Sequence, residues 1–268
     1  MSPAALKLEG STRPQRVSHT MRQLSAVVSA VAIGFLGAAC GNSNQGGSGS
    51  STTTSTRPPV AQAALAGFLL TSAEMDSALG ATGSKSKEKN DKLQDDNAKQ
   101  PWPAGWKFPD DCLYAMGPGE APVYAGSGYT AASGDEQVAT LPANSNEPDP
   151  EVDQVLVLFP SAKEANAFFT TSAQRWPACA NRQFTTPAGT DTPETAWQVG
   201  PVSNARGVLS TTLTMTLRDN GNVLLSMTCQ RALTVRNNVA IDVGAVRKDP
   251  ADLAVKLVGQ IAGKVDKQ

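Results

Sequence analysis

Three runs between residues 207 and 246 leave this chain little choice of local structure: GVLSTTLTMTLRD, NVLLSMTCQRALTVR and VAIDVGAV, separated by Asn220-Gly221 and Asn237-Asn238. They are rich in β-branched residues and alternate apolar with polar, the pattern of strands in a sheet. Asn-Gly is the favoured pair for a two-residue type I′ turn, and Asn-Asn is a weaker version of the same chemistry. If Asn237 and Asn238 form the second turn, Arg236 faces Val239 and Cys229 faces Val246. Val223, Leu225, Met227, Cys229, Leu233 and Val235 then share one side of their strand, and Arg231, on that same side, lies diagonal to Asp242 on the next.

Helices are signalled elsewhere. Thr71 and Glu74 make a capping box that opens a short helix ending near Gly80. A strand over Asp153–Pro160 is followed by a second box, Ser161 to Glu164. The helix it opens puts Ala165, Phe168, Phe169, Ser172 and Trp176 on one face before Pro177 stops it. Pro250–Val265 reads as a final helix, with Leu253, Leu257, Ile261 and Val265 at a four-residue spacing. Residues 84–100 carry five lysines, four acids and a single large apolar side chain, Leu93, and read as a solvated loop. The sum is α+β: an antiparallel meander with helices packed on one face.

The N-terminal part is different in kind. Residues 24–39 are sixteen residues without a charge, preceded by Arg13, Arg16 and Arg22 and followed by Cys40. This is a signal-peptide layout, too short to span a bilayer. Leu36-Gly37-Ala38-Ala39-Cys40 resembles a bacterial lipobox with its leucine one place early, so residues 1–39 are expected to be removed and Cys40 lipidated, with plain secretion the alternative. Met21 is a second possible start. Residues 40–62 then form a Ser/Thr/Gly tether, and 63–268 a single folded domain. Without residues 1–39 the chain carries 19 positive and 23 negative charges and no histidine, since His19 is the only one. A mildly acidic protein with no basic cluster is no nucleic-acid binder. Lack of histidine excludes Ser-His and Cys-His catalysis and His-ligated zinc.

With Cys40 at the leader junction, Cys112, Cys179 and Cys229 remain, and one must be odd. The hairpin register sets Cys229 against Val246 as inert packing, leaving Cys112–Cys179 as the expected disulfide.

Several strings are familiar together: DCLYAMGPGEAPVYAGSGY from Asp111, VLVLFPSAKEANAFFTTSAQRWPACANRQF from Val155, VGPVSN from Val199 and TCQRALTVRNNVAIDV from Thr228. Over roughly residues 65–265 the chain resembles the PknH-type extracellular sensor domains of mycobacterial receptor kinases, and the exported lipoproteins that carry such a domain without a kinase. The resemblance implies a compact α+β domain with a solvent-open cleft for an unidentified ligand. It also implies two disulfides, of which the second is lost here because Val246 stands where the family has its fourth cysteine. No kinase motif accompanies the domain.

Candidate chemistry is sparse. Ser84-Lys85-Ser86-Lys87 fits an SxxK pattern but lies in the charged stretch without its companion motif. Gly126-Ser127-Gly128 is a tight turn, and Glu147, Asp149, Glu151 and Asp153 are an acidic loop without calcium-loop spacing. Arg231 and Asp242 read as a buried ion pair, either fixing the sheet or reading a ligand at a cleft wall. Tyr129, Trp176, Arg182 and Trp197 complete the candidate ligand-binding set, with no catalytic residue, metal or cofactor. The expected function is a non-catalytic, ligand-binding lipoprotein on the outer face of the cell membrane, binding a small molecule or envelope component. The alternatives are a surface module acting on a separate membrane protein and, weakest, a histidine-independent hydrolase.

Overall fold

The computed structural model describes residues 57–268 except 101, 142–144, 146 and 190–191, so the leader, Cys40 and most of the tether lie outside the described residues. In chain order the elements are a 3-10 turn over Gln62–Phe68, α1 (Ser72–Leu79), β1 (Thr82–Asn90), α2 (Asp96–Lys99), α3 (Asp110–Met116), α4 (Ala121–Tyr124), β2 (Ala131–Thr140), β3 (Glu151–Leu158), α5 (Ala162–Arg175), a 3-10 turn over Trp176–Cys179, β4 (Gln183–Thr186), β5 (Glu194–Val199), β6 (Ser203–Ala205), β7 (Val208–Asp219), β8 (Asn222–Arg236), β9 (Val239–Arg247) and α6 (Leu253–Val265).

All nine strands join one antiparallel sheet in the order β1-β2-β3-β9-β8-β7-β5-β4, with β6 appended to β7. It is two meanders fused at the β3–β9 pair. The turns behave as their residues require. Asn220 and Gly221 both adopt positive φ, at 48° and 82°, whereas at the second turn only Asn237 does. There the Asn238 side chain does the fixing, accepting from the Val60 N–H at 2.7 Å and donating to the Phe159 carbonyl at 2.8 Å. Val60 is buried in the core, so the folded domain begins ahead of residue 63.

Helices cover both faces of the sheet, not one. On β3, Val152, Leu156 and Leu158 join Val239, Ile241 and Val243 of β9 under α1 and α6, whose Leu253, Leu257, Ile261 and Val265 are all buried. The intervening Val155 and Val157 point the other way, into a second core made by α3, α4 and α5. The unbroken apolar run of β3 is what two-sided burial demands, and burying each such aliphatic side chain contributes roughly 2 kcal/mol.

The expected loop at 84–100 instead begins within β1, an edge strand paired with β2 as far as Asn90, and later holds the short α2. Its alternating lysines and polar residues leave only Ser84 buried, so no apolar period marks it. Charged side chains on an edge strand also block pairing with other chains. The Thr71 capping box and the left-handed Gly80 are both present. Ser161 caps α5 by accepting from the Lys163 N–H and donating to Glu164. Glu151 and Asp153 belong to β3, while Glu147 pairs with Arg247 at 3.3 Å.

Candidate functional site

Arg231 on β8 stands opposite Gly244 and diagonal to Asp242 on β9. Its Nε and Nη2 donate to the two Asp242 carboxylate oxygens at 2.9 and 2.7 Å, a fork geometry that only arginine supplies. The side chains are 1% and 0% exposed. The other side-chain hydrogen bonds of the pair are directed at one stretch of chain. Arg231 Nη1 donates to the Tyr114 carbonyl at 2.7 Å, and Asp242 accepts from the Tyr124 hydroxyl at 2.8 Å and the Gly119 N–H at 3.1 Å. Trp176 lies with its ring centroid 4.8 Å from the guanidinium carbon. Burial, and the negative charge of Asp242, push the Tyr124 hydroxyl up, so it stays a donor. The pair thus clamps residues 114–124, with α4 inside them, onto the sheet.

Two glycines permit that approach. A Cβ on Gly244 would lie 3.1 Å from the Pro118 ring, and one on Gly119 would lie 2.9 Å from Val155, at a φ of 67° that side chains resist. Gly119→Ala is therefore expected to cost about 2 kcal/mol through overlap and backbone strain, read as a lowered denaturation midpoint.

Next to the clamp is a second buried acid. Glu120 is 3% exposed, and one carboxyl oxygen has no partner among the described residues. Burial pushes its carboxyl up to about 7, held back by the Asn97 N–H and helped by the nearby Asp96. Its backbone bridges to Gln94, whose carbonyl accepts from Ala121 N–H at 2.7 Å, so the acid sits where the segment before α2 is pinned to the loop before α4. Asp153 is likewise pushed well above the usual carboxylate range by burial and by Asp242.

On the opposite face, a cavity of about 570 Å³ opens between the start of α1 and the β1–β2 edge. Its wall includes Asp135 and Gln137 of β2, 6% and 2% exposed, and its lining includes Ser86, Lys89, Asp91 and Ser72. Asp135 accepts from the Ser86 hydroxyl at 2.6 Å and from Gln137 Nε2 at 2.8 Å. The Gln137 amide also donates to the Leu70 carbonyl at 2.9 Å, while its Oε1 has no partner among the described residues. A smaller cavity of about 300 Å³ runs along α5 between Glu164 and Arg175.

A family profile described as a PknH-like extracellular domain matches residues 60–264. This chain belongs to that family. The serine/threonine-protein kinase PknH of Mycobacterium bovis (strain ATCC BAA-935 / AF2122/97) is 30% identical over 210 residues, covering 78% of this chain and 32% of the kinase. PknH of Mycobacterium tuberculosis (strain ATCC 25618 / H37Rv) is also 30% identical, over 78% of this chain and 30% of its own length. The chain thus spans less than a third of these kinases. The crystal structure of the extracellular domain of PknH from Mycobacterium tuberculosis superposes with a TM-score of 0.62 at 28% identity, covering 79% of this chain and 99% of that one. Membership of an extracellular family places this PknH-like domain outside the cell.

Within this PknH-like domain the candidates singled out from sequence fall in four places. Trp176, Arg231 and Asp242 meet in the clamp. Trp197 is buried among Trp102, Phe108 and Phe184, with its indole N–H donating to Thr186 Oγ1 at 2.9 Å, and Trp106 extends the cluster 4.7 Å from Trp102. Arg182 lies 3.5 Å from Asp111, beside the Cys112–Cys179 disulfide. Tyr129, 37% exposed, stands edge-on to Tyr124. None of the six lines either cavity. Cys229 faces Val246 as the register requires, half-buried, and burial pushes its thiol up to about 12, so it stays protonated. Sequence reasoning missed Asp135 and Gln137, although polar residues on a strand's core face, next to Ala131 and Ala139, were the available signal.

Proposed function

We propose that this chain is an exported, non-catalytic, sensor-type ligand-binding domain, held at the outer face of the cell membrane by a lipid on Cys40. The observation that carries this reading is the polar cavity beside α1, of small-molecule size, whose lining includes the buried Asp135 and the buried Gln137, the latter with an amide oxygen unpartnered among the described residues. Membership of a PknH-like extracellular family supports a sensing role, and a cysteine thiol protonated at physiological pH in a chain without histidine beyond residue 19 offers no activated nucleophile. A second reading, capture of a protein partner, rests on Val223 and Leu224, which the β7–β8 hairpin tip leaves exposed.

The test is native mass spectrometry of the protein produced in a mycobacterial host and purified gently. The expected result is a small molecule in near-stoichiometric amount, lost on denaturation. A bare protein would shift the assignment to the hairpin tip and a protein partner. In the same cells, Cys40→Ala is expected to move the protein from the membrane fraction to the medium; retention on the membrane would defeat the anchor.

A further inference from the structure

We infer that the cavity between α1 and the β1–β2 edge binds a small zwitterion, an α-amino acid with an apolar side chain, an inference that rests on the ligand-binding reading above. Two buried acceptors on its inner wall lack a charged or a hydrogen-bonding complement among the described residues. Asp135 is nine-tenths buried yet has neutral donors alone, Ser86 and the Gln137 amide, and no salt-bridge partner among the described residues. Beside it, Gln137 Oε1 is buried with no donor among the described residues. Leaving such an oxygen unpaired costs free energy, and a buried carboxylate calls for positive charge, so the group that completes this wall carries several donors and a cation. A primary ammonium has both.

Beside those acceptors, on the same wall, stands their electrostatic complement. Lys89 is the cross-strand neighbour of Asp135, with its side chain exposed and not paired to that acid. Thr71 and Ser72 bring in the N-terminal end of α1, where the helix dipole favours an anion, and Glu74 in that turn is matched by Lys264 at 2.7 Å. An α-amino acid carries its carboxylate one carbon from its ammonium, a spacing suited to two opposite charges on directly paired residues of neighbouring strands. Ala66, Leu69 and Leu70 supply the remaining, apolar part of the lining. Asp91 on the rim disfavours a ligand with net negative charge.

The purified full chain would be titrated calorimetrically with leucine, with leucine amide, which lacks the carboxylate, and with N-acetylleucine, which lacks the ammonium. Leucine is expected to bind, and each derivative to bind about tenfold more weakly or worse, because each leaves one charge of the site unmatched. Asp135→Asn, which keeps the shape of the wall, and Lys89→Ala, at an exposed position that leaves the fold intact, are each expected to weaken leucine by a similar factor. Equal binding of all three compounds, or leucine binding indifferent to both substitutions, overturns the inference. A flat leucine titration overturns it too. If the native spectrum then releases a different small molecule, ligand binding survives without the zwitterion, and if it releases none, both readings fail.

Discussion

Arg231→Ala is expected to destabilise the domain by about 3 to 5 kcal/mol and to lower its melting temperature by roughly 10 °C. The substitution leaves Asp242 charged and fully buried, with only the Tyr124 hydroxyl and the Gly119 N–H as donors, and strips the Tyr114 carbonyl of its partner. A loss of that size follows from the uncompensated charge left behind, which exceeds any net gain the intact pair provides. Arg231→Lys should recover only part of it, because one ammonium cannot reach both Asp242 oxygens and Tyr114 at once. Thermal melts followed by circular dichroism decide the matter. A variant that melts like the parent protein but no longer holds ligand would show that the pair reads a ligand.

The domain is also expected to be more stable in mild acid than in mild base. Glu120 ordinarily titrates near 4.5, and in the folded protein burial raises this to about 7. Folding therefore favours its protonated form: the associated stability is complete below about 4.5 and is lost as pH rises through 7. Between about pH 5 and pH 8 the loss amounts to roughly 2 to 3 kcal/mol, or several degrees of melting temperature. Asp153, pushed up as well, acts in the same direction. The charged groups facing Glu120 are Asp95, Asp96 and Arg231, and the two acids strengthen the effect while the arginine weakens it. Glu120→Gln should flatten most of the pH dependence and stabilise the protein at pH 8. Melting curves that run parallel for parent and variant across this range would refute the assignment.

Much of the sheet was legible because its signals are local or fixed by counting. The Asn220-Gly221 turn, the Thr71 capping box, the four-residue spacing of α6 and the opposition of Cys229 to Val246 all depend on neighbours in sequence or on a single hairpin register. The diagonal from Arg231 to Asp242 followed from the same register. What it joins did not, because Tyr114, Gly119, Tyr124 and Trp176 lie more than fifty residues away along the chain, and no spacing rule reports such contacts. β1 escaped for a different reason: a strand with one solvated face and one nearly polar face carries no apolar period. The helices cover both faces where one was expected because the apolar run Val155–Leu158 of β3 sends successive side chains to opposite sides, and such a run carries no alternation to say how many sides are covered.

Residues at the two ends of the folded domain touch. Arg57 bonds the backbone carbonyl of Asp266, Asn237 donates to the Pro58 carbonyl, and Arg236 reaches the Asp266 carboxylate at 3.5 Å. The chain therefore enters and leaves the fold at one corner, beside the β8–β9 turn, while the Asn220-Gly221 tip belongs to a different hairpin. A short linker would close the backbone into a ring without stretching it, and new ends could be cut at that exposed tip. The domain is a cassette that can hang from a single strand of tether or be spliced into a surface loop of another protein, with its cavity and its clamp unaffected by either mode of attachment.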